Sequence, residues 1–345
     1  MQAVIHFFSG TGNTARAVGI VAARLEAAGW EVARHAIAGG TEPPAGIPDL
    51  TVVAFPIWAW AAPHFVLDYV RRLPKAQGEK VAVLATCGAF GAQGVGEMER
   101  ALRRRGYVVA ASGEAAYPDN FLLAVNPPTG AKLEKALAAG DRNLSLFANK
   151  DKEGKSTRFR CGWGHVLWSW PMARLFRICG RRFLGKFFVA DDQCTACGLC
   201  AAACPVQAIR MEGAPARPRW GANCAGCYRC IQLCPEQAIQ VSMARLAIHL
   251  GVNLALTVGW VYGIGWIHRP GPSLPGAAQW ALAIAAASIV FAALTVLQLT
   301  ALDGLLRFLE TRPALRRFFA ASYTKSFGRY RAPGFRPEKR GVLSR

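Results

Sequence analysis

Lys, Arg, Asp and Glu are missing from two stretches of this chain, Leu246 to Ile267 and Ala277 to Leu302. Each is long enough to cross the roughly 30 Å hydrocarbon layer as a helix. Trp260, Tyr262, Trp266 and Trp280 stand near the ends of these stretches, which suits a membrane interface better than a buried soluble hairpin. Acidic residues are scarce throughout: 21 Asp and Glu face 41 Lys and Arg, for a formal charge of +20. That excess is concentrated, with nine basic against two acidic residues in 151–190 and eleven against three in 303–345. Two such segments read as flanks of a membrane rather than as a nucleic-acid face, so no nucleic-acid partner is expected. The turn between the apolar stretches, His268 to Gly276, holds one Arg, and both ends of the hairpin are therefore expected on the cytoplasmic side of the inner membrane. No secretory leader is expected either, since Met1 to Phe8 has no basic start, and this argues against the oxidising compartment that disulfides need.

Against these absences stand eleven cysteines, eight of them in two runs: "CTACGLCAAACP", with Cys194, Cys197, Cys200 and Cys204, and "CAGCYRCIQLCP", with Cys224, Cys227, Cys230 and Cys234. Both spell C-x2-C-x2-C-x3-C-P, the bacterial ferredoxin spacing for four-iron clusters, in which the last cysteine of each run ligates the other run's cluster. Zinc sites use two separated C-x2-C pairs instead. The expected ligand sets are Cys194, Cys197, Cys200 and Cys234 for one cluster, and Cys224, Cys227, Cys230 and Cys204 for the other. Cys87, Cys161 and Cys179 have no metal spacing and read as packing thiols.

The N-terminus reads as strand, loop and helix. Gln2 to Phe8 is apolar, Ser9 to Asn13 is small and polar, and from Thr14 onward Ala15, Val18, Val21, Ala22 and Leu25 share one helical face. A helix start offers unpaired N–H groups and the positive end of its dipole, Gly10 and Gly12 let backbone approach closely, and Ser9, Thr11 and Thr14 add hydroxyls, so the loop suits a phosphate. No Gly-Lys-Ser/Thr follows, which excludes a Walker A loop, and no acidic residue near position 35 waits for a ribose hydroxyl, which argues against a dinucleotide fingerprint. Further strands are expected at 31–38, 50–58, 80–86 and 106–111, with helices near 63–73, 94–105 and 129–149. That alternation predicts a doubly wound parallel sheet, with ligand loops at strand ends. Pro56, Ile57, Trp58 and Ala59 form one such loop and Thr86, Cys87, Gly88, Ala89, Phe90 and Gly91 another; Trp58 or Phe90 taken singly would as readily be core packing.

The loop Ser9-Gly10-Thr11-Gly12-Asn13-Thr14 resembles the FMN-phosphate loop of the flavodoxin family. Over residues 1 to about 240 the order of motifs is similar to that of fused flavodoxin-ferredoxin proteins: Pro56 to Pro63, then Thr86-Cys87-Gly88, then "PDNF" at Pro118 to Phe121, then the cysteine runs. Trp60 stands where that family has glycine. The resemblance implies FMN at the three loops and two 4Fe-4S clusters. The expected organisation is a flavodoxin-like α/β domain (1–150), a basic aromatic connector (151–190), a small α+β two-cluster ferredoxin domain (191–242), a transmembrane helical hairpin (243–303) and a basic tail (304–345). The connector interleaves Trp163, Trp168, Trp170, Leu175, Phe176 and Phe183 with Arg174, Arg177, Arg181, Arg182 and Lys186, which fits either an interfacial segment on anionic headgroups or a linker helix packed between domains. His249 and His268, near helix ends, read as residues reaching the interface rather than as haem ligands.

These parts together lead to the expectation of a membrane-anchored carrier that relays electrons through FMN and two clusters between redox protein partners. An FMN-dependent reductase of a small substrate such as a quinone is the alternative. No His, Tyr or Cys constellation around the loops announces acid-base chemistry, so no catalytic residue is assigned.

Overall fold

The computed structural model describes residues 1–150, 161–267 and 276–336. Five parallel strands, β1 (Gln2–Phe7), β2 (Glu31–Ala36), β3 (Leu50–Pro56), β4 (Lys80–Cys87) and β5 (Val108–Ala116), form a sheet in the order β2-β1-β3-β4-β5. That is the flavodoxin-like doubly wound order, and strand order reverses between β1 and β3, where ligands of such sheets bind. The central strand β3 is buried from Thr51 to Phe55, as the apolar run "TVVAF" requires of a strand covered on both faces. Helices α1 (Asn13–Ala27) and α4 (Gly130–Lys150) cover one face, with Ile5, Val18, Val52, Leu84 and Leu137 in that core. Helices α2 (His64–Arg72) and α3 (Gly94–Arg103) cover the other, with Phe55, Val66, Tyr69, Val83, Met98 and Leu102. Strand β5 runs five residues beyond the expected Ala111: Ser112 to Ala116 is poor in strand formers, but parallel pairing with β4 up to Cys87 opposite Ala116 holds it extended.

One buried histidine makes this core acid-sensitive. His6 on β1 bonds through Nδ1 to the Tyr69 hydroxyl at 2.8 Å and lies against His35; burial first, then His35, lowers its pKa from 6.5 to about 4. With the folded value below the unfolded one, stability is unaffected above pH 6.5 and falls as pH drops from 6.5 toward 4, where only the unfolded chain takes the proton. A His6→Gln variant should flatten that part of the stability-pH curve in denaturant unfolding.

The described residues divide into two compact units, one comprising 1–185, 193–239 and the segment from Thr324, the other 186–192 and 240–323. The second unit contains the apolar helices Met243–Ile267 and Gly276–Leu297, the latter continuing to Leu309. Both are long and apolar enough to cross a membrane, with mean hydropathies of 1.4 and 2.3. Leu254, Val261, Ile289 and Val296 are exposed along them, and Trp260 donates to the Ser288 hydroxyl at 3.2 Å. His249 is fully buried, with Gln298 Nε2 at 3.1 Å from its Nδ1 and the Phe187 ring 5.8 Å away, so it does not reach an interface. His268 and the turn around Pro272 lie outside the described residues.

Near one end of these helices a largely buried ion network joins five side chains. Arg245 donates to Asp303 (2.9 Å) and to Glu310, Lys186 Nζ lies 2.6 Å from Asp303, and Arg307 lies 2.8 Å from it. Removing one partner of such a network leaves a buried charge uncompensated. Arg245→Met should therefore cost about 3–5 kcal/mol in unfolding free energy, measured in detergent.

Candidate functional site

The loop expected to hold a phosphate follows β1 because Gly12, at φ +109°, turns the chain into α1 through a conformation that costs other residues energy. The Ser9 hydroxyl closes the loop by accepting the N–H groups of Gly12 and Ala15, each at 3.1 Å. The N–H groups of Gly10, Thr11, Asn13 and Thr14 have no acceptor among the described residues, as expected of a helix start. Thr14 and Thr86 share a 2.8 Å hydroxyl contact that ties this loop to the end of β4.

A small cavity of about 50 Å³ opens there, lined by Ser9, Gly10, Thr11, Asn13, Thr14, Pro56, Ile57, Trp58, Thr86, Cys87 and Gly88, and also by Pro118 to Asn120 and Cys227. Eleven of the sixteen residues expected to hold a flavin thus meet around one space. Gly12 instead faces a neighbouring cavity, and Ala59, Ala89, Phe90 and Gly91 do not line the small one. The space suits a phosphate group but is well below the roughly 300 Å³ of a whole small-molecule site, so a larger ligand would extend beyond it. No Lys or Arg lines it; neutral donors and the helix dipole supply the positive potential.

The second loop keeps a glycine-like turn without glycine. Ala59 and Trp60 hold φ of +45° and +60°, and Trp58 and Ala61 exchange backbone hydrogen bonds of 2.9 and 3.1 Å across the turn. Trp58 packs edge-on to Phe8, 5.6 Å between centroids, whereas Trp60 meets Trp168 at 4.7 Å. Phe90, 43% exposed, faces His165 at 5.7 Å and Trp168 at 6.1 Å. Gly91 donates its N–H to Glu114 at 2.9 Å, and burial raises the pKa of that carboxyl. Burial, with Glu114 and Asp119 adding, pushes the Cys87 thiol up to about 12, so it stays protonated and packs like a small apolar side chain.

The connector helix Trp163–Leu175 packs Ser169 and Ala173 fully against its own unit, and Arg177 pairs with Glu97 at 2.8 Å. Its opposite side exposes Trp163, Leu167, Trp170 and Leu175. Residues 151–160 of the connector lie outside the described residues.

The two cysteine runs fold alike. Left-handed conformations recur at matching positions, Ala196 and Gly226, Gly198 and Tyr228, Gln207 and Gln237, and each run ends in a short helix (Leu199–Ala202, Arg229–Leu233). The thiols interact in two sets that cross the runs. Burial first, then Cys194, Cys234 and Cys197, raises Cys200 to about 12, while Cys224, Cys227 and Cys230 are raised by burial with Cys204 contributing to each. Among the described residues no three His, Cys, Asp or Glu side chains converge on a single ion; a four-iron cluster spreads its four thiolates around a cube instead. The donors are cysteine sulfurs, with N–H groups of Ala208 and Gly226 donating to Cys204 (3.2 Å) and Cys224 (3.5 Å), and this chemistry fits an iron-sulfur cluster.

Several further residues at the site were not among those expected to hold a ligand. Asn120, within the "PDNF" stretch, donates to the Thr11 hydroxyl. The segment after Thr324 straps the loop: Tyr330 bonds to Asn13, its N–H donates to Gln232 at 2.7 Å, and the Ala332 N–H donates to the Thr11 carbonyl at 2.8 Å. A Cβ on Gly12 would come within 2.6 Å of Ala332 and 2.7 Å of Phe335, so glycine is required there by packing as well as by φ.

Comparison with known proteins locates part of this design. The protein-family model for the 4Fe-4S dicluster domain matches residues 193–238. No curated protein matches the sequence. Solved structures similar to part of the chain include a short-chain flavodoxin associated with a non-canonical PDU bacterial microcompartment (15% identity, TM-score 0.32, 44% of this chain and 98% of that one). Others are a flavodoxin of Streptococcus pneumonia (17%, 0.31, 44% and 99%) and the oxidised flavodoxin 2 of Bacillus cereus (20%, 0.32, 44% and 99%). The fold assignment rests on the strand order itself. Residues 193–238 are an iron-sulfur domain of the 4Fe-4S dicluster family, in a chain with a flavodoxin-like N-terminal sheet and two C-terminal helices apolar enough to span a membrane.

Proposed function

We propose that this protein is a membrane-anchored electron carrier that binds FMN and two four-iron clusters and exchanges electrons with partner redox proteins. The observation that carries this reading is that Cys227, from the second cysteine run, lines the same cavity as the phosphate loop, with its carbonyl 3.9 Å from where a Cβ of Gly10 would stand. FMN exchanges one or two electrons and a four-iron cluster one, so the chain would keep both kinds of chemistry side by side. The N–H groups of Gly10, Thr11, Asn13 and Thr14 and the hydroxyls of Thr11 and Thr14 would hold the phosphate, while Trp58, Ala59 and Cys87 to Gly91 would flank the ring. The crossed thiol sets, Cys194, Cys197, Cys200 with Cys234 and Cys224, Cys227, Cys230 with Cys204, would hold the clusters. Anaerobic purification should yield about eight irons and one FMN per chain; a colourless protein without flavin would overturn the reading.

The apolar helices would cross the inner membrane as a hairpin, with the redox domains in the cytoplasm. What supports this is that Tyr330 and Ala332, beyond the second helix, bond to the same phosphate loop that begins the chain, so both ends of the hairpin open to one side. The exposed apolar side of helix Trp163–Leu175, together with the connector's arginines, fits an interfacial placement on anionic lipid. Reporters fused after residue 345 and before Met1 should both read as cytoplasmic and one in the turn at Pro272 as external. A periplasmic C-terminus would refute the hairpin.

A further inference from the structure

A second cavity adjoins the phosphate loop from the β2 side, and its chemistry is unlike that of the first. Its volume is about 440 Å³, within the range of small-molecule sites, and it lies beyond the carboxyl ends of β1 and β2. Phe8, Gly12 and Ala36 to Ala38 form its floor, and the returning segment, through Phe335 and Arg336, forms a wall. Three arginines, Arg16, Arg229 and Arg336, line it with no Asp or Glu. Arg16 is tied to Asp141 at 2.6 Å, whereas Arg336 makes no ion pair among the described residues. Arg229 is 8% exposed, and its guanidinium lies 5.9 Å from the ring centres of both Phe8 and Phe335.

Guanidinium groups in excess over carboxylates select an anion, and phosphate above all, because their planar donors match its oxygens. The part-exposed Phe335 ring beside them adds a surface for a flat base. We propose that this cavity binds a phosphorylated nucleoside of about mononucleotide size, at a site separate from the proposed FMN site. Such a ligand would bridge Arg229 of the iron-sulfur domain and Arg336 of the returning segment. It would hold the strap closed over Gly12.

The test uses the full chain in detergent, with its iron and flavin counted, titrated calorimetrically with adenosine 5′-monophosphate. Saturable binding of one molecule per chain is expected, with bound flavin retained. Losing one charged contact should weaken it about tenfold or more in Arg336→Ala, and losing the stacking surface should weaken it in Phe335→Ala. Arg336 is exposed on the returning segment, so unchanged iron and flavin content in its variant checks that the fold survives. Absence of saturable binding up to millimolar nucleotide would overturn the proposal. So would displacement of FMN one for one, which would assign the cavity to the flavin, or inorganic phosphate binding as tightly as the nucleotide, which would remove the role of the base.

Discussion

A Cys204→Ser variant should retain about four irons per chain instead of about eight, and the cluster lost should be the one built on the second cysteine run. Cys204 belongs to the first run by sequence, yet its thiol acts on Cys224, Cys227 and Cys230. Cys234, from the second run, acts on Cys200 and interacts with Cys194. Double variants convert this crossing into a count. On the proposed crossing, Cys204→Ser with Cys224→Ser would remove two ligands of one site and should still leave about four irons, whereas Cys204→Ser with Cys200→Ser would take one ligand from each and should leave close to none. The reverse pattern, with the first-run pair retaining iron, would show that each run ligates its own cluster.

The second large effect is expected at the phosphate loop. Thr11→Ala with Thr14→Ala should lower FMN affinity about a hundredfold or more while iron content stays unchanged. Each hydrogen bond to a charged group contributes about 1.5–3 kcal/mol, and every 1.4 kcal/mol is a factor of ten. The structure adds a reason for a large loss, since no Lys or Arg lines the cavity and the hydroxyls have no cationic substitute. Both hydroxyls also organise the loop, Thr14 through Thr86 and Thr11 through Asn120. A double variant that binds FMN as tightly as the parent protein would sink the proposed flavin site, and flavin release by fluorescence measures it directly.

Much of the site was legible because its pieces are local. Ser9 to Thr14 reads as a phosphate loop since strand, small residues and helix follow one another, and the helix start then leaves N–H groups free for geometric reasons alone. The strap was not legible: Asn13 and Tyr330 are 317 residues apart, and no periodicity in "SFGRYRAP" says what it will cover. Trp60 shows an intermediate case. Its sequence departs from the glycine pattern, yet the hydrogen bonds between Trp58 and Ala61 impose the left-handed turn on it, and Trp168 supplies a neighbour for the ring.

By itself the sequence determined the alternation of strands and helices, the metal-ligand spacing and the two apolar spans, because each depends on residues a few positions apart and on the preferences of single elements. Only the tertiary structure decided that Cys227 lines the cavity of the phosphate loop, that Arg245 meets Asp303 and Glu310, and that Ala332 and Phe335 close over Gly12. Those contacts join residues tens to hundreds of positions apart. They depend on side-chain shape and on the burial of charge, which hydrophobic period and motif spacing do not encode.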